Sequence, residues 1–196
     1  DILITGKRHD FYSDYEVGFN EKGVIEGVKI KLLSRCGISP DLSGAINGRA
    51  LLHIDNAYYL SNVLVENYLC KTNTSSSTAF RGFGGNQGMM IIENIVDNVA
   101  KYLRKDPAEI RKLNFYQKNK KNITHYGMKI EDNVINEIFK KLIKSSKYQQ
   151  RRLKIKKFNS KNKYLKKGIA ITPVKFGISF TTTHLNQAGA LVHIYY

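Results

Sequence analysis

Thr78-Ala79-Phe80-Arg81-Gly82-Phe83-Gly84-Gly85-Asn86-Gln87-Gly88 stands just ahead of a helical apolar pattern, and its four glycines surround one arginine and two phenylalanines. Glycines let the backbone reach left-handed conformations and approach a ligand closely, while the helix that follows turns its free N–H groups back toward the loop. Such a turn suits oxyanions. Many strand-to-helix turns carry two or three glycines for geometric reasons alone. What marks this one as a binding loop is Arg81 and Phe83 held between glycines, a fixed cation and an aromatic face where a turn asks only for small polar residues.

Downstream of the loop, Met89, Ile92, Val96, Val99 and Leu103 repeat at three and four, which predicts an amphipathic helix over Gln87–Lys105 with the loop at its N-terminus. Asp106-Pro107 starts a second, short helix to Phe115, with Asp as cap and Pro in the first turn. A third helix is expected over Asn133–Ser146, then a lysine-rich stretch with some helix. Ile169–Phe180 and Gly189–Tyr196 read as strands joined by residues 181–187. Upstream, Ser61–Lys71 reads as a strand and Asp41–Tyr58 as a helical region ending in a turn. Tyr15–Phe19 and Val24–Leu33 alternate like a hairpin around Asn20-Glu21-Lys22-Gly23. The fold class is α+β. Three parts are expected: a binding segment at 1–137, a lysine-rich connection at 138–167, and a further binding segment at 168–196.

The 196 residues suffice for a sizeable core, and no run reaches the length of a membrane span. The first twenty residues lack the apolar stretch of a signal peptide, so a cytoplasmic location is expected. The chain starts without methionine and stops within an apparent strand, as a piece of something longer would. Cys36 and Cys70 have no CxxC spacing and are read as buried hydrophobes rather than a disulfide framework or zinc site. The net charge of +16 is uneven, with no Asp or Glu after Glu137 and 13 basic residues between Lys140 and Lys167. Lysine dominates there and aromatics are few, which favours a solvated surface over a nucleic-acid site. His9 reads as a surface residue, and Arg49, taken alone, as an arginine that reaches solvent.

Taken together, Thr5-Gly6-Lys7-Arg8-His9, Arg49-Ala50-Leu51-Leu52-His53-Ile54-Asp55-Asn56, Leu69-Cys70-Lys71-Thr72-Asn73, the Thr78–Gly85 loop, Lys175-Phe176-Gly177-Ile178-Ser179-Phe180-Thr181 and Leu185-Asn186-Gln187-Ala188-Gly189-Ala190 resemble, in order and spacing, the molybdenum-binding part of the xanthine dehydrogenase family. The resemblance runs end to end. It implies a molybdenum hydroxylase that oxidises a purine carbon with oxygen from water, passing electrons to iron–sulfur (2Fe–2S) and FAD centres elsewhere in a cytoplasmic homodimer. It places Arg81, through its backbone, with Gly82, Gly84 and Gly85 against the molybdenum–molybdopterin centre, and Phe83 and Phe180 on the substrate. Thr181 is implied as a polar contact beside them and Arg49 as the cation at the far end of the purine. The family's catalytic glutamates match no residue of this chain, so the segment alone is expected to be inactive.

Thr182-Thr183-His184 departs from the more apolar, proline-bearing pattern of vertebrate-type members, which points to a more polar channel. An aldehyde oxidase-like hydroxylase is the nearest alternative, separated by Arg49, which such relatives generally lack. A basic nucleic-acid-binding module and an inactive relic remain alternatives of other classes. The purine reading requires the 78–88 loop and Phe180-Thr181 to converge with Arg49 facing them, and the lysine-rich region to lie elsewhere.

Overall fold

A computed structural model describes residues 4–181 and 183–196, so Thr182 of the expected polar channel lies outside the described residues. Two antiparallel strands, β1 (Phe11–Phe19) and β2 (Ile25–Gly37), form the hairpin read from the sequence, both longer than its alternation alone suggests. Asn20 builds the turn: its side-chain oxygen accepts from the N–H groups of Lys22 and Val24 at 3.1 and 3.2 Å. In β2 the alternation buries Val28, Ile30, Leu32, Ser34 and Cys36 on one face. The chain then crosses through α1 (Ser43–Leu52) to β3 (Val63–Lys71), which pairs parallel to β2 and gives a sheet of order β1-β2-β3.

Helix α2 (Gly85–Leu103) follows the glycine-rich loop and covers the sheet with Ile92, Ile95, Val96, Val99 and Ala100. It closes the core with Ile30, Leu32, Ala50, Ile54 and Tyr58. Helix α3 (Pro107–Asn114) is capped as its sequence requires, Asp106 accepting from the Ala108 N–H at 2.9 Å. At the end of α3, Asn114 accepts from the Ile25 N–H at 2.8 Å and donates to the Gly23 carbonyl at 2.9 Å, tying the helix to the hairpin. Helices α4 (Ile135–Ser145) and α5 (Tyr148–Lys161) carry the lysine-rich stretch. Phe139 of α4 meets Phe115 edge-on at 5.0 Å, and α5 is fixed to Asp106 by the Tyr148 hydroxyl and Arg152, both at 3.0 Å. No described helix is long and apolar enough to cross a membrane.

Three expectations need correction. Ile169–Phe180 and Gly189–Tyr196 form no strands. Alternating apolar residues define two faces but not a ladder, which also needs a strand edge alongside. Residues 173–179 instead satisfy their backbone against the side chains of Arg49, His53 and Asn56, and residues 189–196 are exposed throughout. His9 is not a surface residue but only 2% exposed, with Nε2 2.7 Å from the Ser43 hydroxyl. Cys36 is buried as expected, whereas Cys70 is half-buried because β3 is an edge strand.

Candidate functional site

The loop owes its shape to three successive residues in the left-handed region: Gly82 at φ 94°, Phe83 at φ 50° and Gly84 at φ 93°. Gly84 has no alternative, since a Cβ there would lie 2.0 Å from the Ile46 carbonyl oxygen of α1. This close approach brings the N-terminus of α2 onto α1. Arg8 holds the loop from outside, its guanidinium donating to the Arg81 carbonyl at 2.8 Å and to Asn86 Oδ1 at 3.2 Å, with the Phe80 ring 4.5 Å from its Cζ. The Arg81 side chain is exposed. Helix α2 begins without a capping side chain and without an acidic residue in its first turn.

Against this loop lies the segment that follows Pro173. The Phe83 and Phe180 rings are 5.3 Å apart at 50°, and Thr181 donates its hydroxyl to the Ala45 carbonyl of α1 at 2.9 Å. Arg49, from α1, is 4% exposed and donates to the carbonyls of Gly177 and Ser179. Its Cζ is 5.8 Å from the Phe83 ring and 5.3 Å from the Phe176 ring. The structure therefore gathers Arg49, Phe83, Phe180 and Thr181 in one place, with Gly82, Gly84 and Gly85 of the loop beside them. The two phenylalanine rings touch. A flat molecule can pack on one and meet the other edge-on, whereas stacking between both would need them to part to about 7 Å, twice a carbon contact distance.

Electrostatically the site is basic. Among the described residues no carboxylate lies within ion-pair distance of Arg49, and its Nε has no partner. Burial lowers the Arg49 pKa from its ordinary value, as desolvation of a cation must. Just beyond it, Asp55 is fully buried and accepts from Lys175 Nζ and, at 2.6 Å, from the Tyr116 hydroxyl. That carboxylate answers Lys175, whereas Arg49 is a buried cation with no carboxylate partner among the described residues. Behind Asp55, Asn56 donates to the Pro173 carbonyl at 3.0 Å and accepts from the Lys175 N–H at 3.0 Å, bracketing the segment. Asn56 is itself held at 2.9 Å by Glu93, which also binds Tyr58 and the buried Arg111.

Several of these residues were passed over as sites in the sequence. Arg8, His53, Asn56, Lys175 and Phe176 all fall in the stretches that carry the family resemblance, yet no spacing singles out Arg8, Asn56, Lys175 or Phe176. His53 sits four residues after Arg49, one helical turn on, which is the signal that could have linked the two. Phe176 lies against Gly85, where a Cβ would come within 2.7 Å of its ring.

Residues 1–115 match the model of a molybdopterin cofactor-binding domain, and residues 141–196 match a second model with the same description. Xanthine dehydrogenase/oxidase of Gallus gallus is 46% identical over 195 residues, 100% of this chain and 14% of that protein. Xanthine dehydrogenase of Dictyostelium discoideum is 44% identical with the same coverage. The chain thus spans 14% of the length of the curated relatives it matches. Among solved structures, the aldehyde oxidoreductase from Desulfovibrio desulfuricans superposes with a TM-score of 0.70 at 25% identity, over 78% of this chain and 16% of that one.

Proposed function

This chain belongs to the family of molybdopterin cofactor-binding domains, and from that premise we propose that it is the substrate-binding part of a molybdenum hydroxylase acting on purines of the hypoxanthine and xanthine type. The donor chemistry supports a fit to the cofactor. An uncapped helix start, a glycine-built loop and the exposed Arg81 suit an anionic ligand. No group of three or more His, Cys, Asp or Glu suited to a metal ion occurs among the described residues, so molybdenum would be held through the pterin. When bound, that cofactor supplies the two-electron redox chemistry. Arg81, through its backbone, with Gly82, Gly84 and Gly85, would lie along it. The acid–base glutamates, the iron–sulfur and flavin centres and the dimer contacts would come from other segments of a cytoplasmic homodimer.

One observation carries the purine reading: a buried guanidinium without a carboxylate partner among the described residues, set against the Phe83 and Phe176 rings beside Phe180. Two backbone carbonyls meet this charge but no counter-ion does, and a buried cation balanced only in this way gains from a further negative or strongly accepting group. Two of the Arg49 N–H groups are held by the Gly177 and Ser179 carbonyls, and a purine offers carbonyl oxygens and ring nitrogens to the donors that remain, with a flat body for Phe83 and Phe180. As electron density builds on the ring, Arg49 would bind it more strongly, which favours the transition state over the bound substrate. A simple aldehyde carries its one acceptor on the reacting carbon and has no second acceptor for this cation.

The test is Arg49→Met in the complete enzyme at matched molybdenum content, with urate formation and aldehyde oxidation assayed on one preparation. Purine turnover should fall roughly ten- to a hundredfold, the worth of a charged hydrogen bond, and fall more than apparent binding weakens. Aldehyde oxidation should survive. Equal loss of both activities would assign Arg49 a structural role.

A further inference from the structure

The Gly177 peptide is gripped from both sides. Its carbonyl accepts from Arg49, and its N–H donates to His53 Nε2 at 2.9 Å. A backbone N–H can only donate, so Nε2 carries no proton and the His53 ring is neutral, protonated on Nδ1. That Nδ1–H donates to the Arg49 carbonyl at 2.9 Å, and the His53 backbone N–H reaches the same oxygen at 3.1 Å. His53 is 5% exposed, its ring centre lies 4.9 Å from that of Phe176, and a Cβ on Gly85 would sit 3.5 Å from its Cδ2. The ring is buried against Phe176 and both its nitrogens are committed.

We propose that His53 is a positioning residue for substrate selection: by joining the Arg49 backbone to the Gly177 peptide in a single tautomer, it fixes the Arg49 guanidinium relative to Phe83 and Phe180. The proposal rests on the reading of Arg49 as the cation that meets the purine. Without the Nε2 acceptor, the Gly177 N–H loses its partner and the carbonyls of Gly177 and Ser179 are free to shift. The guanidinium they hold shifts with them. His53 touches no reacting atom, so its influence passes through Arg49 and is confined to substrates that use Arg49.

The experiment uses the complete, molybdenum-loaded enzyme with four variants: H53F, which keeps a ring against Phe176 but removes both hydrogen bonds; H53Q, which keeps one donor and one acceptor; R49M; and H53F combined with R49M. H53F should lower kcat/KM for xanthine roughly tenfold while leaving a simple aldehyde within about twofold. H53Q should recover most of the loss. In the R49M background, H53F should add nothing. Amide exchange over residues 173–181 should quicken in H53F and not in H53Q. A further loss on top of R49M, equal loss of both activities, or unchanged exchange over 173–181 would each overturn the role given to His53. Unchanged xanthine turnover in R49M alone would instead overturn the reading of Arg49, and the route through it falls for that separate reason.

Discussion

Three histidines surround α1, His9 and His53 buried and His125 partly buried. His9 bonds Ser43 at its start, while His53 and His125 bond the Arg49 and Leu51 carbonyls near its end. A helix C-terminus ordinarily favours a protonated imidazole. Here burial dominates and lowers the pKa of all three below the usual histidine value; Arg49 and Lys175 add to the effect at His53, and Lys175 at His125. Asp55 acts in the opposite direction on the last two without reversing it. In the unfolded chain these groups titrate near 6.5 and bind protons that the folded state refuses. Their contribution is therefore fully present above about pH 6.5 and is lost as pH falls through the lowered folded values. Amide exchange of residues 43–56 in the complete enzyme, corrected for intrinsic rate, should show protection that is flat from pH 8 to 7 and declines by pH 5.5. Protection that holds or grows toward pH 5.5 would show that these rings accept protons without breaking their bonds.

At the level of elements, the site depends on α1 and α2 meeting at almost backbone distance. A Cβ on Gly88 would sit 2.3 Å from the Ala50 carbonyl oxygen, adding to the overlap already described at Gly84. Gly84→Ala combines that overlap with a left-handed φ that costs about 1–3 kcal/mol for a residue with a side chain. It should part the helices, carry Phe83 away from Phe180, and lower molybdenum loading of the complete enzyme several-fold; normal loading with normal purine turnover would count against the loop as the cofactor's seat. Much of this arrangement was legible in the sequence. The glycine spacing gave the loop, the three-and-four repeat gave α2, and Asp106-Pro107 gave the start of α3, because each is a local cause acting within a few residues. Ile169–Phe180 was misread since its alternation is real but its partners, Arg49, His53 and Asn56, are more than 110 residues away. His9 was misread for a similar reason: Ser43, which buries it, is 34 residues distant.

Across the whole molecule, the lysines of α5 and the site are held at opposite ends of α2. The loop and Arg49 lie at its first turn, whereas α5 is tied to Asp106, just past its last turn. Its 19 residues span about 28 Å at 1.5 Å per residue, more than three screening lengths of roughly 8 Å in physiological salt. The lysines of α5 should therefore be electrostatically invisible to a purine entering beside Arg49, despite their share of the +16 charge. Replacing Lys154, Lys156, Lys157 and Lys161 with glutamine leaves the bond of Arg152 to Asp106 and the packing of Tyr148 in place. In the complete enzyme this variant should keep kcat/KM for xanthine within about twofold, with the same shallow dependence on ionic strength as the parent. A steep fall with salt in the parent that vanishes in the variant would mean that these lysines steer substrate, and that the pocket mouth opens toward α5 rather than away from it.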